Sequence, residues 1–348
     1  MGEALLIRTD AGAQIGTGHV MRCLALAQVW RANGAQAIFL MATEIGGLEE
    51  RLKSEGMEVV HVSVPPGSAD DAKQTAVWAR QKRASWIVVD GYHFSASYQR
   101  KLKDAGFKLL VIDDYGHAER YYADIVLDQN LHDHEYIYNN VQPYTRVLLG
   151  TKYALLRGEF SKWREWRRET PKVARKVLVT LGGGDHHNVT LKVIHALQQL
   201  EIPDLEAKIL IGALNPHLET LRRAVDHSTC SLQLLTGITE MPAQMAWADV
   251  GISSGGITCW ELLFMGLPSL ILILADNQRL IAERLETVGV AVNLGLSELL
   301  SPVEIAHSLT QLSQAMDNRA AMARRGRELV DGEGVDQVVR ELLNSREA

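Results

Sequence analysis

The sequence predicts an α/β protein of two Rossmann-like domains whose parallel sheets face an interdomain cleft, and three observations carry that reading. Short apolar runs alternate with helical patterns along most of the 348 residues. The runs are continuous rather than alternating in polarity, as strands buried on both faces of a parallel sheet require. The series lapses between about Tyr115 and Pro171 and then restarts, dividing the chain into two units of similar size, each near the usual length of a domain.

The elements follow in order. Leu5-Leu6-Ile7 is the first strand, and a helix from about His19 carries Val20, Cys23, Leu24, Ala27 and Trp30 at helical spacing. Ala37 to Met41 and Val59 to Val62 are the second and third strands. Trp86 to Val89 and Leu109 to Ile112 continue the series and end at Asp90 and Asp113, which serve either as helix caps or as site residues. After the lapse, Val177 to Leu181 runs into Gly182-Gly183-Gly184 and Ile209-Leu210-Ile211 into Gly212. Leu232 to Leu235, Val250-Gly251-Ile252 and Leu270 to Ile273 complete the second set. The charged stretch Lys162 to Lys176, broken by Pro171, reads as the linker, with Trp163 and Trp166 packing as a helix. Residues 1–165 are then the N-terminal domain and 172–348 the C-terminal one, its last helix a candidate to pack back towards the first. Ligands of open α/β sheets bind at the carboxyl ends of the strands, so the cleft between two such sheets is the expected site.

Composition removes several function classes. The chain has 36 Lys and Arg against 42 Asp and Glu, a formal net charge of −6, which argues against a broad basic face for nucleic acid. Cys23, Cys230 and Cys259 lie far apart without a CxxC pair, so neither a disulfide framework nor a structural zinc site is indicated. The N-terminus lacks the basic and apolar regions of a signal peptide, and the apolar run Leu267 to Ala275 is far short of the roughly 20 residues a membrane helix needs. A soluble, monomeric, cytoplasmic protein without an integral membrane segment is expected. His186-His187 and His132-Asp133-His134 lack ligand spacing, so no metal is expected.

Three segments have the residues for chemistry. Gln14-Ile15-Gly16-Thr17-Gly18-His19, with Arg22 one turn on, follows the first strand. Gly16 and Gly18 let the backbone approach a ligand, and the helix turns free N–H groups towards it. A dinucleotide fingerprint would need a glycine where Met21 stands, so no such cofactor is expected. His19 is either a structural histidine at a helix start or a base suited to neutral pH. The second segment, Leu181 to Asn188, places Gly183 where a phosphate or sugar could meet the backbone, or else forms only a tight turn. Asn188 reads as a cap or a ligand contact. The third runs from Gly237-Ile238 and Met241 through Ser254-Gly255-Gly256 to Thr258 and Glu261, and on to Asn277-Gln278. Thr258 and Glu261 lie three apart on one helix face, either as a capping pair or with the carboxylate placed to receive ribose hydroxyls.

This third segment resembles the nucleotide-binding signature of GT-B glycosyltransferases, particularly the lipid II-forming N-acetylglucosaminyltransferases. That resemblance implies a GT-B-like fold in which the backbone at Ile238 holds uracil and Glu261 the ribose. Ser254, Gly255, Gly256 and Thr258 would hold the diphosphate, with Asn277 and Gln278 near the sugar and Met241 in the same binding segment.

The N-terminal segments Arg8-Thr9-Asp10, Gln14 to His19 with Arg22, Asp90-Gly91-Tyr92, Asp113-Asp114, Leu149 to Arg157 and Gly182 to Asp185 are similar to a second family. It comprises the UDP-2,4-diacetamido-2,4,6-trideoxy-β-L-altropyranose hydrolases of pseudaminic acid biosynthesis, a pathway of flagellin glycosylation. The resemblance implies that His19 is the general base of an inverting, metal-independent hydrolysis of a UDP-sugar, and it adds Tyr92 and Tyr153 to the substrate-binding residues. The alternative is a GT-B glycosyltransferase using a UDP-sugar donor in surface-polysaccharide synthesis.

Overall fold

A computed structural model of the chain describes residues 4–12, 15–131, 135–228 and 230–344. The chain divides into two compact units. One comprises Met1–Gly12, His19–Gly158 and Glu333–Ala348; the other comprises Ala13–Gly18 and Glu159–Gly332.

The sheet of the first unit has seven parallel strands: β1 (Ala4–Thr9), β2 (Ala37–Met41), β3 (Glu58–His61), β4 (Ala84–Asp90), β5 (Lys108–Ile112), β6 (Ile125–Asp128) and β7 (Arg146–Leu149). Their order is β3-β2-β1-β4-β5-β6-β7. β1 pairs with β2 on one side and with β4 on the other, in the register Ile7 to Val88 and Thr9 to Asp90. The direction of the strand order therefore reverses between β1 and β4, the place where open α/β sheets bind their ligands. β1 is buried along its whole length. Leu5 and Ile7 point into one core with Trp30, Phe39 and Trp86, while Leu6 points into the other with Ile38, Val89 and Tyr98. Burial on both faces explains why the strand reads as a continuous apolar run.

The second unit repeats the plan with six parallel strands: β8 (Lys176–Thr180), β9 (Glu206–Ile211), β10 (Ser231–Thr236), β11 (Val250–Ser254), β12 (Ser269–Ile273) and β13 (Val292–Leu296), in the order β10-β9-β8-β11-β12-β13. Its reversal point lies between β8 and β11, where Ser253 is in register with Thr180.

Several local features differ from the sequence reading. β6 and β7 fall inside the stretch where the sequence alternation lapses; at four residues each they are too short to show a period. The Lys162 to Lys176 segment is no α-helix. A 3-10 helix Gly158–Trp163 ends at its first tryptophan, and Trp166 stacks edge-on against Trp163 with ring centres 5.6 Å apart. Arg168 anchors the segment by donating to the carbonyls of Met245, at 2.6 Å, and Ala248. The final helix, Gly334–Asn344, is part of the first unit: Val335, Val338, Val339 and Leu342 enter its core, and Trp86 Nε1 donates to the Leu342 carbonyl at 3.1 Å. Among the described residues no helix is long and apolar enough to cross a membrane.

Candidate functional site

The helix Gly18–Ala32, which belongs to the first unit from His19 onward, begins immediately after the glycine loop, in which Gly16 takes φ +71. Gln14 lies outside the described residues, as do His132, Asp133 and His134. One helical turn separates His19 from Arg22, and the two side chains converge on Asp90 at the end of β4. His19 Nδ1 lies 2.7 Å from Asp90 Oδ1, while Arg22 donates through Nε to Oδ2 and through Nη2 to Oδ1, both at 2.7 Å. Arg22 also reaches Asp114 beyond β5, with Nη1 donating to Oδ1 at 2.6 Å. Tyr92 OH donates to the other Asp114 oxygen at 2.8 Å, and its ring stands edge-on to the His19 imidazole at 5.0 Å. Asn130, beyond β6, donates to Asp114 Oδ1 at 3.1 Å. Four consecutive parts of the sheet's carboxyl edge thus supply one connected group.

Electrostatics fix the protonation pattern. Burial alone would raise the Asp90 carboxyl, but the charge of Arg22, followed by His19, overcomes it and holds the group well below the usual carboxylate range. Asp114 is lowered for the same reason: burial opposes ionisation and Arg22 outweighs it. An ionised carboxylate can only accept, so His19 Nδ1 carries its proton towards Asp90 and leaves Nε2 as the basic nitrogen. The 3.2 Å approach of Arg22 Nη2 to His19 Nδ1 is then a contact between two donors, outweighed by the shorter bonds each makes to Asp90. A histidine oriented in this way is equipped for proton abstraction.

Asp90 is no helix cap: the next helix, Ala96–Asp104, starts after Ser95. Asp113 receives the backbone N–H of Asp114 at 2.6 Å together with His117 Nδ1 at 2.8 Å and the Tyr121 hydroxyl. Asp10 accepts from Arg8 at 2.7 Å and from the Ala42 N–H at 2.6 Å, while Arg8 is also paired with the fully buried Asp71. Tyr153 packs against the core of the first unit, with Lys152 Nζ 5.0 Å above its ring.

The second unit brings together a different kind of group. Ser254, Gly255, Gly256, Thr258 and Glu261 line the end of β11 and the helix Thr258–Phe264. A Cβ on Gly255 would lie 2.8 Å from the Gln278 carbonyl, so Gln278 and the glycine turn are adjacent and only glycine fits there. Gln278 Oε1 accepts from the Leu274 N–H at 3.0 Å, which fixes the end of β12; Asn277 beside it is exposed. Thr258 is inside the helix rather than at its cap, and the end has no side-chain cap bond, so Thr258 and Glu261 do not form a capping box. Glu261 is 5% exposed. Gly237 takes φ +64 just before Ile238, and Met241 opens the helix Met241–Trp247.

At the end of β8, Gly182 takes φ +86 and the Gly183 carbonyl accepts from the Leu214 N–H at 2.9 Å. The cap of the following helix is Asp185, which accepts from the N–H groups of Val189 and Thr190 at 2.8 Å each. Asn188 sits in a left-handed conformation and makes no cap bond. Burial pushes the Cys259 thiol up to about 12 and the Cys23 thiol upward as well, so neither is disposed to act as a nucleophile. Among the described residues no group of three or more His, Cys, Asp or Glu side chains is arranged to hold a metal ion.

Residues 177–336 match the glycosyltransferase family 28 C-terminal domain. Over 338 residues, 95% of either chain, the protein is 27% identical to the spore coat polysaccharide biosynthesis protein SpsG of Bacillus subtilis (strain 168). It is 24% identical over 221 residues to the UDP-2,4-diacetamido-2,4,6-trideoxy-β-L-altropyranose hydrolase of Campylobacter jejuni, covering 63% of this chain and 73% of that one. Among solved structures it is similar to MurG of Acinetobacter baumannii, with a TM-score of 0.67 at 17% identity over 98% of this chain and 99% of the other. The chain has the GT-B fold. The two halves of the sequence reading thus meet different support: the family match lies wholly in the half with the glycine and serine turns, whereas the histidine network lies outside it.

Proposed function

We propose that the protein is an inverting hydrolase that cleaves UDP-2,4-diacetamido-2,4,6-trideoxy-β-L-altropyranose to UDP and the free sugar, a step of pseudaminic acid biosynthesis. The observation that carries this reading is the 2.7 Å contact of His19 Nδ1 with a carboxylate that Arg22 keeps ionised. Similarity to the C. jejuni hydrolase supports it.

In this mechanism His19 Nε2 takes a proton from water as the water oxygen attacks the anomeric carbon opposite the nucleotide. The anomeric C–O bond breaks, its electron pair leaves on the diphosphate, and the transition state has oxocarbenium character. Asp90 stabilises the imidazolium that forms, and the proton then passes to solvent. Arg22 acts through Asp90: its donors are committed to Asp90 and Asp114 and its side chain is 2% exposed. Diphosphate is a good leaving group, so the reaction calls for no strong general acid and no metal. Ser254, Gly255, Gly256 and Thr258 bind the diphosphate, the Ile238 backbone the uracil, Glu261 the ribose hydroxyls, and Asn277 and Gln278 the sugar. Backbone donors facing the developing charge are preorganised, and losing one typically costs ~10²–10³ in rate.

The test is incubation with the UDP-sugar, without an acceptor and with a chelator present, followed by NMR for UDP release and for the anomer formed first. UDP together with a sugar of inverted anomeric configuration is expected; persistence of the intact UDP-sugar would refute hydrolysis. A second reading, a UDP-sugar-dependent glycosyltransferase, is favoured by the family 28 match. It requires UDP release only after an acceptor is supplied.

A further inference from the structure

Beside the His19 group stands a second imidazole–carboxylate pair that the mechanism does not use. His117 Nδ1 lies 2.8 Å from Asp113 Oδ1, and the His117 side chain is 9% exposed. Asp113 also receives the N–H groups of Asp114 and Tyr115 and the hydroxyl of Tyr121. With so many donors on Asp113, His117 Nδ1 carries the proton and Nε2 is left as an acceptor. That Nε2 is buried and has no hydrogen-bond partner among the described residues. Buried polar atoms are nearly always paired, so such an atom calls for an explanation.

Its surroundings are aromatic. The Tyr92 ring stands edge-on to both imidazoles, with centres 5.0 Å from His19 and 5.7 Å from His117. Tyr115, which is 42% exposed, lies 5.2 Å from Tyr92 and 6.0 Å from His117. Asp113 holds the His117 imidazole, while the next residue, Asp114, holds Arg22 and Tyr92 of the His19 group. The orphan acceptor is therefore one aromatic ring from the proposed base, beneath an exposed tyrosine.

We propose that His117 is a specificity-determining residue, its Nε2 accepting a hydrogen bond from an acetamido N–H of the sugar while the Tyr92 and Tyr115 rings take the acetamido methyl group. An amide suits this place because it offers a donor to the unpartnered nitrogen and an apolar group to the rings. This inference rests on the reading that the substrate is a diacetamido sugar.

The first test compares wild type with His117→Phe, which keeps an aromatic ring but removes the acceptor, and with His117→Gln, which restores one. In His117→Phe, KM for the UDP-sugar should rise about tenfold, the usual scale for one hydrogen bond. The kcat should stay within about twofold and inhibition by UDP alone should be unchanged, with His117→Gln recovering part of the lost affinity. An unchanged KM in folded His117→Phe overturns the proposal. The second test needs no turnover. Wild-type protein with 15N-labelled histidine is titrated with free 2,4-diacetamido-2,4,6-trideoxyaltrose and, separately, with 6-deoxyaltrose, which lacks both acetamido groups. The His117 ring-nitrogen resonance, assigned by its loss in His117→Phe, should shift with the first sugar and not with the second. No shift at saturation, or equal shifts, overturns the assignment. If the protein releases no UDP, the hydrolase reading fails while the titration still decides the role of His117.

Discussion

The carboxyl edges of the two sheets use opposite electrostatic strategies on one topology. In the first unit, Asp10, Asp90, Asp113 and Asp128 stand at the carboxyl ends of β1, β4, β5 and β6, all nearly or fully buried and each bound by a partner such as Arg8, Arg22, His117 or Tyr138. In the second, the corresponding edge is made of Gly182 to Gly184, Gly212 and Ser253 to Gly256, and its buried carboxylates are Asp185, which caps the helix after the first turn, and Glu261 in the helix after the last. Charged side chains that must be held ionised need costly pairing, and once paired they are fixed. Glycine turns and hydroxyls bring no such cost and leave backbone groups available to an anion. On the proposed reading, the first edge sets a protonation state and the second receives the ligand.

His19→Ala puts this division to its hardest test. It should lower UDP release by about 10²–10⁴ while nucleotide affinity, measured by calorimetry, is retained; near-normal turnover would remove His19 from the base role. Arg22→Met breaks the network that orders the first edge and should cost about 3–5 kcal/mol of stability by removing the partner of buried charges. Urea unfolding measures this, and a loss below about 1 kcal/mol would mean that Asp90 and Asp114 are held by other means. For the second edge, Glu261→Ala should weaken UDP binding about 10–100-fold, the scale of a hydrogen bond to a charged group, with only a modest change in kcat at saturation. Equal UDP affinity in this variant contradicts the ribose role.

The smallest effect is on acid stability. Asp90 and Asp114 have folded-state values below their unfolded ones, so their contribution is complete above the unfolded value of 3.8 and is lost as the pH falls towards the folded values. Urea midpoints should therefore drop from pH 5 to pH 3 more steeply in wild type than in Arg22→Met, where the larger cause of the depression is removed and His19 alone opposes burial. Parallel slopes would show that these two groups do not dominate the acid response.

Strands buried on both faces were legible because each carries an unbroken apolar run, Leu5 to Ile7 in β1 and Leu270 to Ile273 in β12, although buried polar residues such as Arg8 and Ser269 stand at their ends. The glycine loops were legible for the same local reason. What was not legible is pairing across distance. Asp90 meets His19 71 positions away, Asp114 meets Arg22 92 positions away, and Arg8 meets Asp71 63 positions away. No periodicity within one segment encodes such meetings; they arise because β4 pairs with β1, β5 pairs with β4, and the helix Ala69–Gln81, which carries Asp71, packs on β1. The one readable hint was a carboxylate at the end of each of several consecutive strands. The cap of the helix Val189–Leu197 failed on a finer scale, since Asp185 reaches two free N–H groups from three residues before Asn188.

The helix Gly334–Asn344 has a consequence for how the chain comes to fold. The Trp86 indole bonds to a carbonyl 256 residues later, and Val338 and Leu342 fill the same core as Leu5. A chain emerging from the ribosome has the whole second unit in hand before the last piece of the first. The early unit must wait with part of its apolar core uncovered, and its final closure is the most non-local event in the molecule. Removing residues 334–344 should therefore act as a core deletion in the N-terminal unit, although the cut is made at the far end of the sequence.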